Sequence, residues 1–371
     1  MDRLKRLAIY LGGFVGPYGA QSLVVVVPDM AETFAIPIDS AAIALSVYAL
    51  PFACLMLFST RMVRKLRPKM VVSTAFLVTA MAALACMFAP SWYLFLFFYM
   101  LMGLANAFTL PVLQVMLQRI HSPRNLGAAL GTYTSMQALG TFSAPVSAGL
   151  FSVFNWQMLF LVSIGFSVAI VVIGLPEVEP LDSASSSQER VKLFPLATHM
   201  LTLLVVGMSS AGLSVVFALH LFEHFHLDPP SRGTVVMLGG LASFFLARQI
   251  GRAGDRLGVL KVLVTCLGFC ALSLLAIPFV SKLFVLAMAW AVVVVSSQGV
   301  QTFVSYIVLR GPRGAVLNSI ASAMRTFGVA LSPMIFVGVY LSNYWAAFAV
   351  PATLVLAMVP LQVLAKKVQP Y

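Results

Sequence analysis

The sequence is poor in charge, and acidic side chains are its scarcest ionisable group. Its 371 residues include 11 Asp and Glu against 23 Lys and Arg, so that only 9% are charged, whereas 61% are hydrophobic. Soluble domains carry about 25% charged residues. A chain with so little polar surface cannot cover its apolar side chains in water. The composition therefore excludes an ordinary soluble protein and predicts a membrane protein.

Several kinds of catalytic and binding site are also missing. The chain contains no G-x-x-x-x-G-K-[ST] motif, which excludes the common phosphate-binding loop of ATP-driven proteins. The predicted spans contain no carboxylate pair, Ser-His-Asp set or metal-ligand cluster, so we expect neither an enzyme nor a bound cofactor or metal. Only four cysteines occur, all inside apolar runs, where we interpret them as packing residues. They are Cys54, Cys86, Cys266 and Cys270.

The chain contains twelve long apolar runs, each bounded by charge, Pro, Gly or Asn. In lipid such runs must be helices, because the backbone groups find no water to bond. The predicted spans are 7–27, 40–58, 70–89, 92–116, 127–152, 157–175, 197–222, 231–249, 262–280, 284–307, 315–341 and 345–365. We interpret the first run as a span rather than a cleavable signal peptide, because it is too long for one. The predicted fold class is all-α and integral to the membrane.

The basic residues fall almost entirely on one side of these spans. If the N-terminus is cytoplasmic, 20 of the 23 lie in cytoplasmic segments; the exceptions are Arg232 and Lys282 outside and Arg325 within a span. This bias predicts a plasma-membrane (inner-membrane) protein with both termini in the cytoplasm. It also explains the net charge of +12, which attracts anionic lipid head groups. The basic residues are not interleaved with aromatics, so a nucleic-acid partner is not expected.

The chain divides into two halves that resemble each other. A Ser-rich polar stretch at 177–194 predicts a cytoplasmic linker between a bundle of six helices at 1–176 and another at 195–371. At a shift of 188 residues, Gly140 corresponds to Gly328 and Pro145 to Pro333. Internal repeats of this kind are typical of transporters that rock about a central site.

One polar cluster interrupts the second half, GRAGDRLGVLK at 251–261. Its pattern, G-x-x-x-D-R-x-G-x-x-K, closely resembles the loop signature of the major facilitator superfamily. That resemblance implies twelve spans in two pseudo-symmetric bundles and a cytoplasmic gate in this loop. The gate residues it implies are Gly251, Asp255, Arg256, Gly258 and Lys261. The corresponding loop of the first half, 60–70, is degenerate, with Thr60, Arg64 and Arg67 at the Gly, Asp and Gly positions.

The fifth span carries a second family resemblance. GTFSAPVSAG at 140–149 resembles the G-x-x-x-G-P-x-x-x-G motif of efflux antiporters, and FNW at 154–156 resembles the start of the sixth span of drug exporters. The resemblance implies export, whereas ordinary helix packing by Gly140, Pro145 and Gly149 is the alternative. The Arg that many proton antiporters of this family carry in the fourth span is replaced by Tyr99.

Polar residues within the spans are the candidates for substrate binding. Arg325 lies in the eleventh span, and its repeat mate is Gln137. Such a pair suits a carboxylate or another anion, unless Arg325 extends toward the head groups instead. In the family, spans one, four, seven and ten line the cavity, and their polar residues either bind substrate or join helices by hydrogen bonds. The candidates on these spans are Tyr18, Gln21, Asn106, Gln298 and Gln301.

Two further features sit near the outer ends of spans. Asp29 follows the first span and is the candidate site for a coupling proton, with an interfacial helix-end acid as the alternative. His220, His224 and His226 cluster with Glu223 near the end of the seventh span. They predict a pH-sensitive outer gate rather than a metal site.

These features support three hypotheses. The first is a monomeric secondary transporter that exports a small organic solute by alternating access, with a proton as the candidate coupling ion. The second is an uptake system or exchanger for organic anions with Arg325 as the anchor. The third is a membrane sensor or scaffold without transport.

Overall fold

The computed structural model describes residues 2–62, 66–121, 123–178, 192–310 and 314–368, and every regular element in these ranges is helical. The described part of the first half contains seven α-helices: α1 (Asp2–Gln21), α2 (Val27–Phe34), α3 (Ile38–Met62), α4 (Pro68–Met87), α5 (Trp92–Ile120), α6 (Pro123–Ser152) and α7 (Phe160–Ile173). The second half contains α8 (Leu193–Ser209), α9 (Ser214–Phe225), α10 (Pro229–Leu257), α11 (Val259–Ala276), α12 (Leu283–Arg310), α13 (Gly314–Ser342) and α14 (Tyr344–Val368). Short 3-10 helices occupy Trp156–Leu159 and Ile277–Phe279.

These helices overlap the predicted spans: α8 and α9 together cover the seventh, whereas α1 covers most of the first and α2 lies almost entirely beyond its predicted end at residue 27. Within the described ranges, nine helices are long and apolar enough to cross a membrane. The more polar α1, α6 and α10 are outside that set and carry several of the candidate site residues. The prediction of an all-α membrane fold is confirmed.

The first and seventh spans are interrupted, which the sequence pattern did not predict. The chain leaves helical geometry at 22–26 and again at 210–213. At the repeat shift of 188, residue 22 corresponds to residue 210, so both interruptions begin at equivalent positions. Non-helical backbone at membrane depth is tolerated only where protein buries it or where it lines a cavity. The two matching breaks therefore belong to the architecture of the repeat.

The chain folds into two compact units. Unit 1 contains α1 to α7 together with Leu227–Thr234, and unit 2 contains α8, α9 and the chain from Val235 onward. The predicted boundary assigned all of 195–371 to the second bundle, so the first turns of α10 differ from that prediction. Most of the predicted linker, 179–191, lies outside the described residues.

In each unit the first helix packs against the helix that carries the repeated Gly and Pro. In unit 1, a Cβ at Gly140 of α6 would collide with the backbone carbonyl of Phe14 in α1. In unit 2, a Cβ at Gly328 of α13 would collide with the carbonyl of Leu204 in α8. Glycine permits this close approach of two backbones. The repeat seen in the sequence therefore corresponds to the same helix contact in both units.

Candidate functional site

A cluster of buried tyrosines surrounds the interruption after α1. Tyr99 of α5 donates a hydrogen bond to the carbonyl of Gly19 at 2.6 Å, and Tyr48 of α3 donates to the carbonyl of Gly16 at 3.0 Å. Ser22 donates to the same Gly19 oxygen. Carbonyls at the end of a helix lack intrahelical partners. The hydroxyl of Tyr99, at the position where the family often has Arg, is thus used to complete the backbone bonding of α1.

Two predicted binding residues, Asn106 and Tyr18, are engaged with protein partners. Asn106 is fully buried on α5, and its Nδ2 donates to Tyr48 Oη and to the carbonyl of Met102, both at 3.0 Å. Tyr18 Oη lies 2.8 Å from Ser147 Oγ and donates to the carbonyl of Leu159. These bonds join α1, α3, α5 and α6. They are the kind expected if Asn106 and Tyr18 connect helices rather than bind substrate. Asn106 Oδ1 is buried without a hydrogen-bond partner in the described ranges.

The two glutamines of unit 1 lie on α1 and α6. Gln21 is the last residue of α1 and is buried. Gln137 is half-buried on α6, and its carbonyl accepts a hydrogen bond from Thr141.

The efflux-like motif of α6 provides backbone contacts. Besides the contact at Gly140, a Cβ at Gly149 would collide with the carbonyl of Pro229, and a Cβ at Gly233 would collide with the carbonyl of Pro145. The motif thus holds the first turn of α10 against α6 within unit 1. Close packing of the two helices accounts for the small residues of this motif, and this packing has no bearing on the direction of transport.

Asp29 is paired with an arginine that the sequence pattern places on the outer side, at the start of the eighth predicted span. Its Oδ2 lies 3.4 Å from Nη2 of Arg232, which belongs to the segment of α10 that packs in unit 1. The Arg232 side chain is 2% exposed and that of Asp29 is 27% exposed. A buried guanidinium requires a counter-charge. Asp29 therefore supplies a counter-charge to Arg232.

The FNW segment fixes the start of the sixth span. Asn155 accepts a hydrogen bond from the amide of Gln157 and so caps the short 3-10 helix. The indole of Trp156 donates to Thr33 Oγ1 at 2.9 Å and packs against Phe34 and Phe95. These contacts attach α2 to the helix that precedes α7.

Arg325 lies on α13 in unit 2 and is half-buried. Its backbone carbonyl and its Cγ lie directly against Gly207 of α8. Its Nε is buried and has no hydrogen-bond partner within the described part of the chain. This arrangement differs from that of Tyr18 and Asn106, whose donors are used within the protein.

The remaining candidate binding residues of unit 2 lie on α12. Gln298 and Gln301 are both half-buried on α12. The hydroxyls of Ser209 and Ser210 donate to carbonyls four residues earlier, and Ser332 of α13 donates to the carbonyl of Met208. The break between α8 and α9 is thereby stabilised by serine hydroxyls.

Most residues of the predicted cytoplasmic gate lie in the last turns of α10. Gly251 lies within α10, where an added Cβ would meet none of the described atoms within 4 Å. Gly258 has a positive φ of 93° and separates α10 from α11. Glycine is suited to this turn because its positive φ is not strained. Arg256 and Lys261 are exposed, and the side chain of Asp255 lies outside the described residues.

The histidines near the end of α9 stack on each other. The rings of His220 and His224 are 4.3 Å apart, and His224 Nδ1 lies 3.3 Å from Tyr340 Oη. His226 ends the helix with a positive φ of 50°. No group of three or more metal-ligating side chains occurs in the ranges that the structure describes.

Sequence reasoning missed Tyr48, Arg232 and Gln362. Gln362 of α14 is fully buried and donates to Thr202 Oγ1 at 2.7 Å. Each is a single polar residue in or beside an apolar run. For Gln362 the available signal was an amide within a span, which requires a partner in lipid.

Comparisons with known proteins find a matching family model, a related protein and similar solved structures. The model of the Major Facilitator Superfamily matches residues 9–204. An uncharacterised MFS-type transporter of Bacillus subtilis (strain 168), YceJ, is 23% identical over 266 residues, which are 69% of this chain and 68% of that protein. The structure of the human organic anion transporter MFSD10 (TETRAN) has a TM-score of 0.72 at 15% identity and covers 97% of this chain and 99% of its own. A bacterial homologue of the human lysosomal transporter Spinster, in an inward-facing and unoccupied conformation, has a TM-score of 0.70 at 14% identity and covers 98% and 95%. At these identities the structural likeness concerns the fold alone.

Proposed function

We propose that this chain is a secondary active transporter that exports a small organic solute. The chain belongs to the Major Facilitator Superfamily and is a multi-pass membrane transporter rather than an enzyme. The observation that carries the proposal is the matching interruption of the first helix in each unit, at 22–26 and 210–213. Broken helices at equivalent positions of two repeats are typical of sites about which transporters alternate their access.

Export and orientation are proposed from the sequence pattern. The motif at Gly140, Pro145 and Gly149 resembles that of efflux members, and the basic residues favour cytoplasmic termini in the plasma (inner) membrane. The partners we propose are the solute, a coupling proton and the surrounding lipids, with the protein acting as a monomer.

Asp29 is the group we propose for the coupling proton. Its side chain keeps access to solvent while its partner Arg232 is buried. Protonation of Asp29 would remove the negative charge of the pair and weaken the attachment of the first turn of α10 to α2. A proton would therefore change a contact that joins two helices.

Flux through the purified protein in liposomes tests the proposal. The probes are benzoate, benzamide and ethidium, each with and without an imposed pH gradient. We expect saturable flux of at least one probe that follows the gradient, and we expect Asp29→Asn to abolish the dependence on the gradient. Cells that express the protein should accumulate less of that probe. Absence of flux for all three would favour a sensor or scaffold, and increased accumulation would favour uptake.

A further inference from the structure

We propose that Arg325 binds the anionic group of the transported solute, which makes small organic anions the substrate class of this protein. This inference rests on the proposed transport function, but it concerns binding and can be tested apart from flux. It is carried by three observations in unit 2: the position of the Arg325 stem, the state of its Nε, and the lack of an acid near it on the described helices around it.

The stem of Arg325 is held against α8. A Cβ added at Gly207 would lie 3.2 Å from Arg325 Cγ and would collide with the Arg325 carbonyl. The missing side chain at position 207 therefore makes room for α13 and for the first part of the arginine. The contact fixes the Cγ of Arg325 against α8.

The guanidinium of Arg325 is deprived of water at its Nε. Its Nε is buried and has no hydrogen-bond partner in the described ranges, while the residue as a whole is half-buried. A buried charged donor without a partner is costly. Because the residue is half-buried as a whole, part of its side chain is not covered by described protein atoms.

No described side chain on the neighbouring helices supplies a counter-charge. Within unit 2, α13 packs against α8, α9, α12 and α14. The sequences of α8, α12, α13 and α14 contain no Asp or Glu. The single acid of α9, Glu223, interacts with Tyr340 at the far end of α13. Tyr340 is 15 residues beyond Arg325, or about 22 Å along a helix.

The ligand class follows from the geometry of the donor. Nε and one terminal nitrogen of a guanidinium form a fork that fits the two oxygens of a carboxylate, or two oxygens of a sulfonate or phosphate. A free Nε is half of that fork. Cations would be repelled by Arg325, and a neutral solute would leave the charge uncompensated. A solute with a single anionic group satisfies both the charge and the hydrogen-bond donors.

Ligand-induced stabilisation of the purified protein tests the inference. The probes are benzoate and benzenesulfonate, with the neutral isostere benzamide as the matched ligand. The proteins are the wild type, Arg325→Gln, Arg325→Lys and, as the control, Lys367→Gln, which removes an exposed charge from the last turn of α14. A ligand that binds only the folded state raises its melting temperature to an extent that grows with its affinity.

We expect the anions to raise the melting temperature of the wild type and of Lys367→Gln, and benzamide to raise neither. Arg325→Gln should lose the effect. Arg325→Lys keeps the charge but loses the fork, so its affinity for benzoate should fall about tenfold. If Arg325→Gln does not fold, the lysine variant and the comparison of benzoate with benzamide on the wild type decide the matter.

Two results would overturn the inference: anions that stabilise none of the proteins, or anions that stabilise wild type and Arg325→Gln equally. Flux measurements in liposomes distinguish a failure of this inference from a failure of the proposed transport function. Transport of benzamide or ethidium without any anion effect would leave transport intact and exclude Arg325 as the anchor. Binding of benzoate that depends on Arg325, without flux in liposomes, would retain the site and exclude transport.

Discussion

The carboxylate of Asp29 lies 3.4 Å from the guanidinium of Arg232, whose side chain is 2% exposed. Asp29 is in the first turn of α2, and Arg232 is in the first turn of α10, which packs in unit 1 although the rest of that helix belongs to unit 2. Removing one member of a buried pair leaves an uncompensated charge, which costs more than the pair itself contributes.

We therefore expect Asp29→Asn to destabilise the protein by about 2–4 kcal/mol, because it removes a carboxylate that lies beside a buried arginine. Thermal unfolding in detergent at neutral pH measures the change. The double variant Asp29→Asn with Arg232→Gln should recover part of the loss, since it leaves no buried charge at this contact. Additive losses in the double variant would show that the two side chains do not interact.

The pair of Lys69 and Glu177 is the matched exposed contact. Its atoms are 3.1 Å apart, but the side chains are 40% and 84% exposed. Lys69 holds the pKa of Glu177 below its usual value. Its contribution is therefore present above the ordinary carboxyl pKa and is lost as pH falls through the lowered value. At pH 7 we expect Glu177→Gln to leave the melting temperature unchanged, because exposed ion pairs contribute little. A loss as large as that of Asp29→Asn would contradict this.

Two glycines of α13 offer a comparison within one helix. A Cβ at Gly328 would collide with the carbonyl of Leu204, whereas no described atom lies within 4 Å of one at Gly338. We expect Gly328→Ala to lower the melting temperature by separating α8 from α13. Gly338→Ala should raise stability by about 0.5–1 kcal/mol, because alanine loses less conformational entropy in a helix. Equal effects at both positions would show that the backbone contact at Gly328 is unimportant.

The bond from Trp156 to Thr33 should contribute to the attachment of α2. Trp156 is 5% exposed and its Nε1 lies 2.9 Å from Thr33 Oγ1. Thr33→Val leaves the indole donor unpaired, and we expect a loss of about 1–2 kcal/mol. A double-mutant cycle with Trp156→Phe isolates the bond from the loss of ring packing. A coupling energy near zero would contradict the contact.

The hydroxyl of Tyr99 provides a test of the break after α1. It is fully buried and donates to the Gly19 carbonyl at 2.6 Å. Tyr99→Phe should destabilise the protein by about 1–2 kcal/mol, because it leaves the carbonyl with fewer donors. Tyr93→Phe on the same helix is the control, since Tyr93 is 82% exposed. Thermal unfolding of both variants measures the difference, and equal losses would show that the Tyr99 hydroxyl does not stabilise the break.

Candidate site residues could be predicted from sequence only as residue types in a span. Arg325 was found because a charge in an apolar run is conspicuous, and the structure adds the free Nε and the contact with Gly207. Asn106 and Tyr18 were conspicuous for the same reason, yet their donors bond to other helices. Arg232 was recognised only as a basic residue at the outer start of the eighth predicted span, because its sequence position does not show that it packs beside Asp29.

Composition and hydrophobic pattern are sufficient to establish that this chain is a bundle of membrane helices in two related halves. Apolar runs long enough to cross a bilayer have no alternative to helix in lipid, and glycine, proline and charge limit where each run can end. Three other properties are visible only in the folded protein: which glycines touch another backbone, where α1 and α8 end, and which polar groups already have hydrogen-bond partners. Those properties depend on atoms that are distant in sequence, such as Gly207 beside Arg325 and Asp29 beside Arg232, and a linear pattern carries no information about such distances.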